Sequence, residues 1–576
     1  MISSKTKRVV FANLLMASLL ATTAFSACRQ TSEQVDDSKS QLYVGNLYAG
    51  FGDDWMQTWK TNFEKMHADT SFEEGKKGVQ IWVDNQRDSY TGANLLTGIE
   101  SYTQDMYFTE DPNIHALVAQ GACAKITDIV TENLKEKYGE DSTIEEKMSD
   151  EFKAGLKLNG DYYILPVNES YMNIIYDIDL FESKGFFISK ESTADKTKFT
   201  KIKLEYSKGP DNVEGTSDDG LPATFSQFYD LLNKIKQSSV TPMIWSGKYH
   251  STYGLGFATS VWAAIDGKDQ YLLNDTFNNQ ATTLVSSVDE KTKTYGGKAY
   301  DVSTVTLNAD PTEITKSNGY ELQKQAGKFY ALQFIGNIIK DSTNYDTLSF
   351  SGSLSQTGAQ TEYLYSKYNT SKKRVAMLMD GSWWSVEAKS TFANMEVEYG
   401  EEDSRRSRRF GLMPIPSPTQ EMVGLKAVYD SSIRGAAFVS AYCPDSKLKL
   451  AKEFLQYCYT NEGMKIYTSA TDTPMPYKYN FASDEEKSEF ENTLTTYGKA
   501  LWNNHENDAV FFSGLVNDSF YVNNYSYFNE DWDFRVAIDE YIGKYPFTGF
   551  QKYPALTAKK YFEGLYNYHK NNNLWK

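Results

Sequence analysis

Cysteine and histidine are scarce in this chain of 576 residues, which has four of the first and five of the second. With Cys28 set aside for the reason given below, Cys123, Cys443 and Cys458 remain, an odd number without metal-ligand spacing. Disulfides are therefore not the main source of stability, and the three are either one pair plus a thiol or three buried thiols. His67, His115, His250, His505 and His569 are scattered and form no HExxH-like pattern, which argues against a zinc site or a His-dependent nucleophile. No stretch after Cys28 is long and apolar enough to span a bilayer. Basic residues are in deficit too, with 59 Lys and Arg against 76 Asp and Glu for a net charge of −17. That balance argues against a nucleic-acid partner, because phosphate binding needs basic patches. The one basic cluster, Arg405-Arg406-Ser407-Arg408-Arg409, follows Glu401-Glu402-Asp403 and reads as a solvated surface loop.

Aromatic side chains, by contrast, are plentiful: 41 Tyr, 32 Phe and 10 Trp make 14% of the chain, and although most of them must be core the share is high. Aromatic faces stack on the C–H faces of sugar rings while carboxylates and amides bond the hydroxyls, so the composition fits a carbohydrate cleft. The N-terminus carries a second signal. Lys5, Lys7 and Arg8 precede an apolar run interrupted by Ser and Thr that ends in Phe25-Ser26-Ala27-Cys28. This resembles the bacterial lipoprotein signal, although Phe25 stands where that family usually has Leu. The resemblance implies cleavage after residue 27 and a lipidated Cys28 that holds the protein on the outer face of the cell membrane; a plain secretory signal cut nearby, which would release the same protein, is the other reading. Residues 28–40 are polar and acidic, which predicts a disordered tether. The remaining body of about 535 residues exceeds the limit of about 250 to 300 for one core, so two lobes are expected.

Strand and helix signals alternate from the start of that body. Gln41 to Tyr48 reads as a strand and Asp54 to His67 as a helix with Trp55, Trp59 and Phe63 at spacing four, Trp55 on its core face. Val79–Val83 and Asp105–Phe108 read as further strands, each followed by a helical stretch. Repeated βα units imply a mostly parallel sheet, with ligands collecting at the carboxyl ends of its strands.

The segment Asp161-Tyr-Tyr-Ile-Leu-Pro-Val-Asn-Glu-Ser-Tyr-Met-Asn-Ile-Ile-Tyr-Asp-Ile-Asp-Leu-Phe181 resembles the first interlobe crossing of the extracellular solute-binding lipoproteins of ABC transporters, family 1, the maltose-binding type. Leu221 to Phe228, Pro242 to Ser246, Val375 to Trp384, Phe410 to Pro416, Ile433 to Val439 and Ser446 to Tyr459 follow in that family's order, and the resemblance covers about residues 41–480. It implies an α/β, two-lobe periplasmic-binding-protein-like fold, with discontinuous lobes joined by a hinge that closes over a ligand. The expected division is residues 41–167 and 376–434 for lobe one, and 168–375 and 435–576 for lobe two. It further implies a monomer that captures a carbohydrate, an oligosaccharide in the first place, and delivers it to the transmembrane permease subunits of an importer. No cofactor and no catalysis are required. A sensor or scavenging lipoprotein of the same fold, or a binder of peptides or sugar acids, is the alternative. A secreted glycosidase would need two carboxylates facing across a cleft, and no glycosidase motif accompanies the acids present.

The same resemblance carries ligand-binding roles onto Phe51 and Asp53 after the first strand and onto Thr109, Glu110 and Asp111 after the third, where the aromatic usual in sugar binders is missing. Glu169 beside the crossing would accept bonds from sugar hydroxyls. Trp383 and Trp384 are stacking candidates; their side chains diverge, so one should pack in the core and the other, Trp383 by preference, face the cleft. Trp245 is a candidate cleft wall, and Arg434 a candidate donor to a hydroxyl or carboxylate. The loop Gly209 to Gly220 holds four acids and three glycines, which makes Asp211, Asp218 and Asp219 a candidate structural calcium site, with an ordinary acidic turn as the other reading. The Thr-, Lys- and Gly-rich stretch from Thr282 to Thr315 reads as a hairpin or surface loop. Beyond about residue 480, aromatic and charged sequence predicts helices and loops closing over lobe two, with Tyr525 or Trp532 as further stacking candidates.

Overall fold

The computed structural model describes residues 34–46, 50–86, 88–110, 112–192, 198–315, 317–431, 435–513, 536–538, 540–543 and 545–571. Residues 1–27 and Cys28 lie outside them. The expected tether does not reach residue 40: the first strand starts at Ser40, and Asp36 N–H already donates to Gln80 Oε1 at 2.9 Å.

Nine strands build two main sheets: β1 (Ser40–Asn46), β2 (Val79–Asn85), β3 (Met106–Glu110), β4 (Leu165–Pro166), β5 (Met172–Asp177), β6 (Thr241–Ile244), β7 (Val375–Gly381), β8 (Phe410–Met413) and β9 (Gly435–Val439). Lobe one holds the order β2-β1-β3-β9-β4, with β1 parallel to β2 and β3, and β9 antiparallel to β3 and β4. Lobe two holds β8-β5-β7-β6, with only β7 and β6 parallel. Both sheets are covered on both faces, which is why their strands are near-continuous apolar runs.

In lobe one, helix α1 (Asp54–Met66) lays Trp55, Met56, Trp59 and Phe63 on the sheet, a face set by the spacing of those four residues. Helices α2 (Asp445–Cys458) and α3 (Asn461–Thr471) share that core through Leu450, Phe454, Tyr457, Met464 and Tyr467. In lobe two the helices Phe225–Gln237, His250–Asp266 and Ala326–Lys340 pack on one face of the sheet together with Pro546–Lys552 and Ala558–Asn571. The first begins where the sequence offers a cap, since Thr224 Oγ1 accepts from Gln227 N–H at 3.2 Å.

Strand pairing corrects the expected division of the lobes. β7 pairs with β5 from Met377 opposite Tyr176 to Gly381 opposite Met172, so residues 376–413 belong to lobe two. β9 pairs with β3 from Gly435 opposite Glu110 to Val439 opposite Met106, so the chain from 435 into α3 belongs to lobe one. The segments after residue 480 do not simply close over lobe two either. Phe490, Leu494 and Trp502 join the core of lobe one, while helix α4 (Thr496–Glu506) turns Tyr497 and Leu501 into lobe two. One short helix is thus shared between the lobes.

Three surface expectations also change. The Arg405–Arg409 cluster is an ion-pair hub: Arg405 Nη2 lies 2.5 Å from Asp472 Oδ2, and buried Arg408 bonds Asp177 and Asp403 at 3.0 Å each. The stretch from Thr282 to Thr315 forms nested hairpins that turn at Gly296 and Gly297, whose φ of +55° and +82° suit glycine. These hairpins are more than decoration, because Tyr295 and Tyr300 are buried against Tyr229 with centroids 5.5 and 4.8 Å away. In the acidic loop, Asp218 accepts from Asp211 N–H and Thr216 Oγ1, Asp219 from Gly215 N–H and Asp211 from Val213 N–H. The carboxylates cap turns rather than converge, and no group of three or more His, Cys, Asp or Glu able to hold a metal ion occurs among the described residues. Burial pushes the Asp218 carboxyl up to about 6. Cys123, Cys443 and Cys458 are all buried free thiols.

Candidate functional site

Parallel pairing brings the ends of three strands to one edge of lobe one. The register sets Asn46 beside both Asn85 and Phe108, and Gly435 opposite Glu110. Around this edge lies a pocket lined by Asn46, Phe51, Trp55, Phe108, Thr109, Glu110, Val167, Asn168, Gly435 and Tyr467. Its floor is aromatic: Trp55 meets Phe108 and Tyr467 edge-on at 5.5 and 5.1 Å, and Phe51 stands 6.3 Å from Tyr467. Trp55 is fixed by its Nε1–H, which donates to Phe51 O and Gly52 O at 3.2 and 3.1 Å. The polar rim is a relay in which Asn46 Nδ2 donates to Asn85 Oδ1 at 2.8 Å and Asn85 Nδ2 to Asp53 Oδ2 at 3.0 Å. Asn168 Nδ2 donates to Tyr467 Oη at 3.3 Å, and burial raises the phenol's pKa, which keeps it protonated.

Lobe two reaches this edge through Trp383. Its indole lies over Gly381, where any Cβ would collide with the ring, and against Gly50, where a Cβ would stand 2.9 Å from Cδ1. Glycine at both positions is what lets one indole lie flat between a strand end of lobe two and the first loop of lobe one. The lobes nearly touch here. The pocket offers only about 40 Å³, far below the roughly 300 Å³ at which small-molecule sites begin.

The structure gathers Phe51, Thr109 and Glu110 into the pocket, links Asp53 to its rim and sets half-buried Trp383 beside it. The Thr109 hydroxyl itself is turned back to Tyr90 O at 2.5 Å, so that residue offers a wall and not a donor. Trp384 is wholly buried against Tyr363, Phe410 and Tyr497, which corrects its assignment to the ligand. Trp245 is likewise wholly buried, between Tyr345, Phe350 and Phe547, and is no cleft wall. Glu169 is buried too, and its Oε1 meets His505 Nδ1 on α4 at 2.8 Å; it does not line the pocket. Asp111 and Arg434 lie outside the described residues, as do Tyr525 and Trp532. Sequence reasoning missed Asn46, Phe108, Asn168 and Tyr467 as lining residues, and it preferred the core for Trp55, which serves both core and pocket. The strand-end rule reaches Asn46 and Phe108; nothing local marks Tyr467.

Residues 67–494 match the family model for bacterial extracellular solute-binding proteins. Among curated protein sequences none matches. A solved chitin oligosaccharide binding protein aligns at 14% identity over 93% of this chain and 99% of its own, with a TM-score of 0.51. The apo form of RafE from Streptococcus pneumoniae aligns at 14% identity over 94% and 100%, with a TM-score of 0.51. A structure described with xylan utilization by the thermophilic bacterium Caldanaerobius polysaccharolyticus aligns at 14% over 92% and 99%, with a TM-score of 0.50. At these identities the likeness is one of fold, two α/β lobes about a hinge. No helix among the described residues is long and apolar enough to cross a membrane. With the family model spanning well over half its length, the chain belongs to the bacterial extracellular solute-binding proteins.

Proposed function

We propose that this protein is the surface receptor of an ABC importer, tethered through a lipidated Cys28, and that it captures a neutral oligosaccharide between its lobes for delivery to the permease. The observation that carries this reading is the aromatic pocket at the carboxyl edge of lobe one with Trp383 of lobe two set against its first loop. Stacking faces from two lobes, with amides and carboxylates at the rim, suit a sugar ring. Ligand contacts drawn from both lobes favour the closed arrangement, so binding shifts a hinge equilibrium that a permease can sense. The names of two fold relatives, a chitin oligosaccharide binding protein and one described with xylan utilization, add support for an oligosaccharide.

Thermal unfolding of the soluble form that starts after Cys28, against sugars including chitotetraose and xylotetraose, tests this. A sugar at 100 times its Kd adds about 2.7 kcal/mol to stability. Trp383→Ala should weaken that sugar's binding at least about tenfold, or about 1.4 kcal/mol. If no oligosaccharide shifts the transition, the carbohydrate reading fails; if the sugar is consumed, binding alone is too small a role.

A further inference from the structure

The three polar groups of Glu169, in the middle of the first crossing, go to three different places. Its N–H donates to Pro474 O at 3.1 Å, just past α3 of lobe one. Its carbonyl accepts from Ser382 Oγ at 2.9 Å, in lobe two. Its Oε1 meets Nδ1 of His505 on α4, the helix whose side chains enter both cores. Glu169 is buried and His505 nearly so, with side chains 6% and 11% exposed, and among the described residues Glu169 Oε2 has no hydrogen-bond partner, so the imidazole is the main group facing this carboxylate. The neighbour Asn168 lines the pocket, held there by Ser170 Oγ, by Tyr467 Oη and by the bare backbone of Gly435, where a Cβ would strike its amide.

We propose that His505 is a positioning residue for ligand capture: through Glu169 it pins the crossing so that Asn168 faces the pocket, and its loss of a proton loosens the hinge and weakens capture. Only the capture step rests on the carbohydrate reading above. Among the described residues, the groups around the imidazole can be named. Glu169 faces it from the crossing, and Glu506 and Asp508 lie beside it in sequence, with Glu506 tied to Lys487. Tyr479 approaches edge-on at 5.4 Å, Trp502 stacks at 5.1 Å, and Tyr171, near Glu169, accepts from Asn504 at 3.1 Å. Burial alone lowers the imidazole's pKa, but the Glu169 carboxylate, its hydrogen bond and the two acids behind it outweigh burial and raise it above the ordinary value of 6.5. A group raised in the folded state contributes fully below its unfolded pKa, and the contribution disappears as pH climbs through the folded one. The clamp is therefore whole below 6.5 and is released as pH climbs through the raised pKa of His505.

The full soluble chain serves for the test, with three readouts. NMR titration of the histidines should find His505 above 6.5, and Glu169→Gln should bring it down. Hydrogen exchange over residues 166–173, corrected for its chemical pH dependence, should rise above the His505 midpoint by up to about tenfold for each unit of pKa elevation. In His505→Gln, which cannot titrate, that pH dependence should vanish. Affinity for whichever of chitotetraose and xylotetraose binds should fall over the same range in the wild type and fall distinctly less in His505→Gln. A His505 that titrates at or below 6.5, or a crossing whose exchange follows the same pH curve in both proteins, overturns the proposal. If neither sugar binds, the carbohydrate reading fails while the titration and exchange arms still decide the hinge.

Discussion

Replacing Arg408 with alanine should destabilise lobe two by about 3–5 kcal/mol, the cost of leaving buried carboxylates short of their cation. The guanidinium is 3% exposed and divides its fork between Asp177 and Asp403, which are 2% and 0% exposed, while its plane covers Phe410 at 4.9 Å. Asp177 keeps Arg374 at 2.5 Å and Leu180 N–H at 2.9 Å, and Asp403 keeps Lys367 at 2.8 Å and Tyr368, so the loss is partial. Burial by itself would raise the Asp403 carboxyl, but Lys367, Tyr368 and Arg408 hold it below the usual range. Because Asp177 also caps the helix Ile178–Lys184 and ends β5, its unpairing is felt in both sheet and helix. Arg408→Lys should recover only part of the loss, since an ammonium cannot fork to two carboxylates. Arg409→Ala, whose partners Asp179 and Glu182 are 42% exposed, should cost less than about 1 kcal/mol. Calorimetry of the three variants reads this directly, and an Arg408→Ala protein within about 1 kcal/mol of wild type would show that the hub is not a structural centre.

That hub illustrates where reading the sequence stops. Four arginines in five residues look like a solvated patch, because their carboxylate partners at Asp177 and Asp472 are more than 60 residues away in either direction. Local order was legible throughout lobe one: spacing four along α1 and the strands on either side of it lie where periodicity puts them. Lobe membership was not legible. β7, β8 and β9 are buried on both faces, and an apolar run states that a strand is interior without naming its neighbours. The tryptophan pair divides the same way. Adjacent side chains had to diverge, and they do, Trp384 into the core and Trp383 to the interlobe edge beside Gly50. For Trp245 no such geometric constraint existed, and the strand it follows carries it inward. Glu169 showed its position at the crossing but not its direction, because His505 stands 336 residues later. Tyr467 joins the pocket for a similar reason: it lies on the buried face of α3 with Met464, Thr468 and Thr471, like any core residue, and the pairing of β9 with β3 brings α3 to the site.

Stability should fall as pH rises from 6.5 to 8.5, by about 2 kcal/mol or more, because several interior acids keep protons that the unfolded chain has already lost. The main one is Asp380, 1% exposed at the end of β7, directly before the Gly381–Trp383 wall. Burial raises its carboxyl first, and the neighbouring Glu387 adds to it; both carboxylates accept from the one Gln360 Nε2, at 3.0 and 2.7 Å, and Asp380 is pushed up to about 8. Asp266, beneath Trp262 Nε1 and Gly327 N–H at 2.9 Å each, is pushed by burial up to about 7. Asp275 and Asp430 are raised by burial as well. The sign follows from the unfolded values near 3.9: each group binds its proton more tightly in the fold, so its stabilisation is whole below that value and is lost as pH passes the folded pKa. His67 and His115, which burial lowers, act in the opposite sense, but their contribution is complete once pH exceeds 6.5. Above that point nothing among these groups offsets the acids. Asp380→Asn stays neutral at every pH and retains an acceptor for Gly381 N–H, so its thermal midpoint should lose less between pH 6.5 and 8.5 than that of the wild type. Unfolding curves at the two pH values decide the matter: a wild-type midpoint that is level or rising, or an Asp380→Asn slope equal to the wild-type slope, would mean that Asp380 keeps no proton in this range. With Asp380 protonated, the cleft wall that carries Trp383 stands on a neutral carboxyl beside Glu387, and it and the Glu169 crossing weaken in the same alkaline direction by separate groups.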